Sequence, residues 1–253
     1  MAKGKSGRKQ VSFDDVDVSD LDVKPEVNET VEKQQAKPTK SVVPQLKNSS
    51  VLIPFHNLFV LWQMFQMGLT EDIEGTMTSG LVILLPLQLI YNYLIINQMI
   101  LSKKASKNLN VPLLIISSVL VSLVLSIPVF VIVIFMGAPI YKFTIKSFLL
   151  ALHLSQLIIN PIAMLYTLDF ENFKKLFYQD YIYREIFSNV VLSSSLLTVG
   201  GCWLGVIPIP LDWDRPWQQW PITLLVGGYA GGVFGGVIAL VVRKVRGCSE
   251  ISV

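Results

Sequence analysis

Gly200–Val242 reads GGCWLGVIPIPLDWDRPWQQWPITLLVGGYAGGVFGGVIALVV. From Ile222 onward this stretch is apolar and carries no charge. That is the length a helix needs, at about 1.5 Å per residue, to cross a hydrocarbon core of about 30 Å. The half before it is different in kind. Trp203, Trp213, Trp217 and Trp220 fall within it, four of the chain's five tryptophans. Pro208, Pro210, Pro216 and Pro221 each lack a backbone donor, which rules out a helix interior. Trp settles at the headgroup level of a bilayer, where its ring is in apolar surroundings and its N–H finds a polar partner. The stretch therefore predicts a stiff interfacial turn followed by a transmembrane helix. The fold class that follows is all-α, a polytopic membrane protein.

The rest of the chain agrees. Of 253 residues, 52% are hydrophobic and only 15% charged, with a mean hydropathy of +0.54. Six apolar spans are predicted, at about Leu52–Leu69, Ser79–Leu101, Val111–Ala138, Ile145–Leu168, Ile186–Ile207 and Ile222–Val242. Pro54 suits the first turn of the first span, and Pro128 is expected to kink the third. Residues 1–50 are polar and low in aromatics, with a basic start (Lys3, Lys5, Arg8, Lys9) and an acidic block (Asp14, Asp15, Asp17, Asp20, Asp22). Such a segment buries too little apolar surface to offset chain entropy and is expected to be disordered. It does not read as a cleavable signal peptide, because no apolar core follows MAKGKSGRKQ. The predicted organisation is a tail over 1–50, a six-helix membrane domain over 51–243 and a short C-terminal tail over 244–253. Cys202 and Cys248 imply no disulfide framework.

An even number of spans places both termini on one side. Lys and Arg near the spans number thirteen on that side and three on the other, counted over loops and flanks. Positive charge stays in the cytosol, so both termini are predicted cytosolic and the Trp-rich loop luminal.

Polar residues form stripes on the apolar helices: His56, Gln63 and Gln66; Gln88 and Asn92; His153, Gln156 and Asn160. Within hydrocarbon such groups should face the bundle interior and bond across helices. A polar cleft for a glycolipid headgroup is the sharper alternative. No Asp, Glu, Lys or Arg lies well inside a span, which argues against a pump or coupled transporter. The only histidines are His56 and His153, and the luminal carboxylates are Glu71, Asp72, Glu74, Asp212 and Asp214. That set is poor for metal-assisted phosphoryl transfer. No catalytic residue, metal site, cofactor or nucleic-acid motif is implied.

Two features read as contacts. Gly227, Gly228, Gly231, Gly232, Gly235 and Gly236 repeat every four residues, so a neighbouring backbone can approach closely. That neighbour is either a helix of the same chain or a partner's helix. The loop residues Asp212, Trp213, Asp214, Arg215, Trp217 and Trp220 make either an interfacial anchor with its own salt bridge or a surface that holds a partner or lipid headgroup. Spacing alone favours the anchor.

The run Pro208–Pro221, with PLDWDRPWQ at its centre and a Gly-rich apolar helix after it, resembles the C-terminal signature of the PIG-F family. The close match covers about Gly200–Arg243. The acidic tail is loosely similar to that of the fungal members. The resemblance implies a non-catalytic subunit of the endoplasmic reticulum membrane. It would stabilise a large multispanning ethanolamine-phosphate transferase that modifies mannose of the glycosylphosphatidylinositol (GPI) precursor. It also implies luminal chemistry, in agreement with the charge count. Partner-binding residues on this reading are Asp212, Trp213, Asp214, Arg215, Trp217, Trp220, Gly227, Gly231 and Gly235, with membrane lipids as further partners. The alternative function is a passive flippase or scramblase of GPI intermediates.

Overall fold

The computed structural model describes residues 43–100, 109–139, 141, 143–210 and 215–251, with side chains as far as Arg246. Residues 1–39 and 40–253 form separate units, and the fold below belongs to the second. The expectation of disorder for residues 1–42 lies outside the described residues. Packing begins before residue 51, however. Val43 and Leu46 are buried, and Leu46 bridges Met99 in antiparallel fashion.

The described helices are α1 (His56–Gln66), α2 (Ile73–Gln98), α3 (Val111–Phe135), α4 (Thr144–Leu165), α5 (Phe170–Leu176), α6 (Ile182–Ser188), α7 (Val190–Leu204) and α8 (Ile222–Ile251). Short polar side chains start several of them by accepting the orphan N–H groups of the first turn. Asp72 accepts from Gly75, Asp169 from Glu171 and Asn172, and Asn189 from Val191 and Leu192. Beyond the end of α1, Gly68 turns the chain at φ +85°, which a Cβ would oppose.

The count of spanning helices differs from the six expected. Among the described residues, α2, α3, α4 and α8 are long and apolar enough to cross a bilayer. α6 and α7 would supply a fifth as one span, but they meet at 104°. Both departures have local causes. Pro54 breaks the first apolar run, so Ser49–Leu52 coil as a 3-10 turn and α1 keeps 11 residues, about 16 Å of helix. Asn189, extended at φ −106° and ψ 120°, ends α6 and caps α7. The first run nevertheless travels the length of α2. The Lys47 N–H donates to the Gln98 carbonyl (2.8 Å) at one end, and Thr76 Oγ1 donates to the Met67 carbonyl (3.4 Å) at the other.

α4 is the hub. It packs on α2, α3, α7 and α8, and Leu150, Leu154, Leu157, Met164 and Leu165 are buried along it. Two of the three polar stripes meet around it. Asn92 Nδ2 donates to Ser118 Oγ and to Asn160 Oδ1, both at 2.9 Å, and Asn160 Nδ2 donates to Gln88 Oε1. Gln156 Nε2 donates to Ser122 Oγ. His153 sits between Met77 and Tyr229. Its Nε2–H donates to the Met77 carbonyl (3.0 Å), which leaves Nδ1 to accept from the Tyr229 hydroxyl (2.7 Å). Such bonds stitch helices together where hydrocarbon cannot. The stripe on α1 is different. Gln66 is exposed, Gln63 is half-buried, and His56 packs its ring 4.8 Å from that of Tyr91.

Candidate functional site

α7 and α8 are joined by the Pro- and Trp-rich loop. Asp212, Trp213 and Asp214 lie outside the described residues, so the flanks of the loop define its geometry. Arg215 opens a 3-10 turn at Pro216–Gln218. Gln218, which the sequence reading did not single out, fixes this turn. It is 8% exposed, its Oε1 accepts the Arg215 N–H (2.9 Å), and its Nε2 donates to the Pro208 carbonyl (3.0 Å). The two arms of the loop are thereby tied across ten residues.

The tryptophans divide their roles. Trp220 turns inward, and its indole N–H donates to Ser147 Oγ (3.0 Å) near the start of α4. Trp217 and Trp203 stay outside, with Trp203 among the most exposed apolar side chains of α7. Arg215 is exposed. Among the described residues of the loop, Trp220 thus packs inward while Arg215 and Trp217 are exposed; the sequence had offered anchor and open surface as alternatives.

The glycine stripe is placed by the chain itself. A Cβ built on Gly227 would overlap the Gly201 carbonyl oxygen, one on Gly231 the Leu197 carbonyl and one on Gly235 the Ser193 carbonyl. Ser193 Oγ donates to the Gly235 carbonyl (2.7 Å). Gly228 faces Leu154, Gly232 faces Thr198 and Asn57, and Gly236 faces Ser194 and Ile53. Gly227, Gly231 and Gly235 therefore pack against α7 of the same chain, one of the two neighbours the sequence left open. Small residues on both α7 and α8 let the two backbones touch, and van der Waals packing replaces the hydrophobic drive that lipid removes.

The same lack of side chains leaves the outer side of the seam open. A groove of about 970 Å³ runs between α7 and α8, with a floor of Gly200, Gly201, Gly205, Gly227, Ala230 and Gly231. Phe65, Leu204, Trp217 and Phe234 stand along it, each with much of its surface exposed. Trp217 joins this groove to the loop. Among the predicted contact residues, Trp217, Gly227 and Gly231 line it; Trp220 and Gly235 do not. Chemically the groove offers a long, nearly unbroken apolar surface with few polar atoms.

Among the described residues no three His, Cys, Asp or Glu side chains gather closely enough to hold a metal ion.

The sequence profile of the GPI biosynthesis protein family Pig-F matches residues 52–240. A glycosylphosphatidylinositol anchor biosynthesis protein 11 from Candida albicans is 52% identical over 230 residues, covering 83% of this chain and 87% of its own. The protein of the same name from Debaryomyces hansenii is 42% identical, covering 93% and 96%. That from Yarrowia lipolytica is 35% identical, covering 68% and 75%. No solved structure matches.

Proposed function

We propose, for a chain that belongs to the Pig-F family of GPI biosynthesis proteins, that it acts in GPI-anchor biosynthesis as a non-catalytic subunit. It holds and stabilises a large multispanning ethanolamine-phosphate transferase in the endoplasmic reticulum membrane. A spanning helix of the transferase lies in the groove between α7 and α8, and the exposed part of the Trp-rich loop caps that contact on the luminal side. The observation that carries this reading is the groove itself. Its glycine floor admits a helix backbone closely, its walls are exposed aromatic and aliphatic side chains, and it runs into the loop that bears the family signature. Aromatic anchors beside small residues are what a packed membrane interface needs. Both termini face the cytosol in this arrangement.

The test uses the full chain, tagged and purified in mild detergent from its native membranes. A multispanning ethanolamine-phosphate transferase should co-purify in stoichiometric amount. Reconstituted alone, the chain should neither transfer ethanolamine phosphate nor scramble lipid in vesicles. Transfer by the isolated chain would make it an enzyme, and scrambling would favour a lipid path through the bundle.

A further inference from the structure

A second recess lies away from the groove, where the strand-like segment at Val43–Lys47 passes α6 and the end of α8. It has a volume of about 400 Å³. Lys47, Ser49, Glu185, Ser188, Asn189 and Arg243 supply its polar lining. Three observations bear on what fits it.

The first is the fixed frame. Asn189 is 5% exposed and donates Nδ2–H to the Pro44 carbonyl (3.2 Å), and Ser49, 4% exposed, receives Arg243 Nη1–H on its hydroxyl. Arg243 is thus held across the recess by a neutral group. Among the described residues no carboxylate lies within ion-pair distance of Lys47 or Arg243. The second is depth. Arg243 is the first charge after the apolar run of α8, and Lys47 precedes the first apolar run. The recess therefore opens at the edge of the apolar belt, with exposed Ile100 on its rim. The third is the neighbourhood. α6 turns 104° away from α7, so it lies along the membrane plane if α7 crosses it. α5, α6 and the turn between them carry exposed Phe170, Phe177, Tyr178, Tyr181 and Tyr183 together with Lys174, Lys175 and Arg184. Exposed aromatics interleaved with cations are the composition of an interfacial segment.

We infer that this recess binds the headgroup of a phosphodiester lipid, its phosphate between Arg243 and Lys47. Glu185, which also lines the recess, adds a condition. Its carboxylate repels a headgroup with several phosphates and accepts a hydrogen bond from one bearing an ammonium or hydroxyl. The favoured ligand is a monophosphate diester with such a donor, in the leaflet at this end of the bundle. The inference does not rest on the partner reading or on which leaflet that is.

The experiment is native mass spectrometry of the full-length protein with defined lipids of matched acyl chains. Phosphatidylserine and phosphatidylethanolamine should be retained well above phosphatidylcholine, which lacks a donor, and above diacylglycerol, which lacks a phosphate. A basic side chain near a membrane surface is worth about 1 kcal/mol, roughly five-fold. The Lys47→Gln/Arg243→Gln variant should therefore lose roughly twenty-five-fold in phospholipid retention, with diacylglycerol unchanged. Glu185→Gln should keep phospholipid and lose the preference over phosphatidylcholine. Lys47→Glu, a change at an exposed side chain, serves should the double variant not remain monodisperse, and it should also lower retention. Equal retention of all lipids by wild type, or wild-type retention by the Lys47 and Arg243 variants, overturns the inference. So does displacement of the lipid by inorganic phosphate at equimolar concentration, which would make the site one for free phosphate.

Discussion

At the scale of single residues, two positions in the loop carry different loads. Gln218 ties Arg215 to Pro208, and its truncation leaves a backbone N–H and a carbonyl unpaired in a part-buried turn. An unsatisfied buried group costs about 1–3 kcal/mol. Gln218→Ala should therefore speed hydrogen exchange across residues 215–222 and lower the thermal midpoint of the purified chain; unchanged exchange would mean that the prolines alone hold the turn. Arg215 is exposed and ties into the turn through its backbone, so Arg215→Ala should leave that turn and the chain's abundance intact. An exposed ion pair is worth about 0–1 kcal/mol, whereas a central Arg at an interface is worth about 2 kcal/mol or more. A measurable fall in partner recovery on Arg215→Ala supports docking, and wild-type recovery reduces the loop to an anchor. The sequence made the Trp and Arg content legible. It did not reveal Gln218, because a side chain that satisfies neighbouring backbone leaves no periodic signal.

At the scale of elements, the seam between α7 and α8 has two sides with separable roles. On its inner side Gly231 touches the Leu197 carbonyl, and a methyl group has no room there. Overpacking of this kind costs about 1–3 kcal/mol. Gly231→Ala should lower the thermal midpoint of the isolated protein. On the outer side Gly200 has only Leu197 Cδ2 nearby, at 3.7 Å from a built Cβ, and it lines the groove. Gly200→Leu should fill part of the groove, keep the melting behaviour of the wild type and lose the partner. Loss of stability in Gly200→Leu, or retention of the partner, would count against the groove as the interface. The four-residue repeat told of close backbone approach, and the structure bears this out. It could not tell whose backbone approaches, since glycine leaves the same signature toward a helix of its own chain or another's. Two element boundaries were likewise hidden. A hydropathy window passes over Pro54 and Asn189, although each breaks the backbone of an apolar run.

At the scale of the whole molecule, the all-helical class and most of the spans were legible, because about twenty uncharged apolar residues leave a long helix as the main way to satisfy the backbone in lipid. The hub at α4 was legible in part, through the polar stripe His153, Gln156 and Asn160, which sits at the centre of the network. Orientation rests on charge asymmetry and has its own test. Asn28-Glu-Thr30 and Asn48-Ser-Ser50 match the glycosylation pattern, and a cytosolic tail keeps both unmodified. A glycosidase-sensitive mass shift at Asn28 would reverse the orientation; Asn48 reports less well, since it packs against the end of α2 through Gln98. The most direct measurement of the central claim joins structure to pathway. In cells whose only copy of the chain carries Gly200→Leu, GPI precursors are profiled beside quantitative blots of the chain and of the transferase. The account predicts the chain at wild-type abundance, a depleted transferase, and accumulation of precursors lacking ethanolamine phosphate. A wild-type precursor profile with wild-type transferase levels would contradict it.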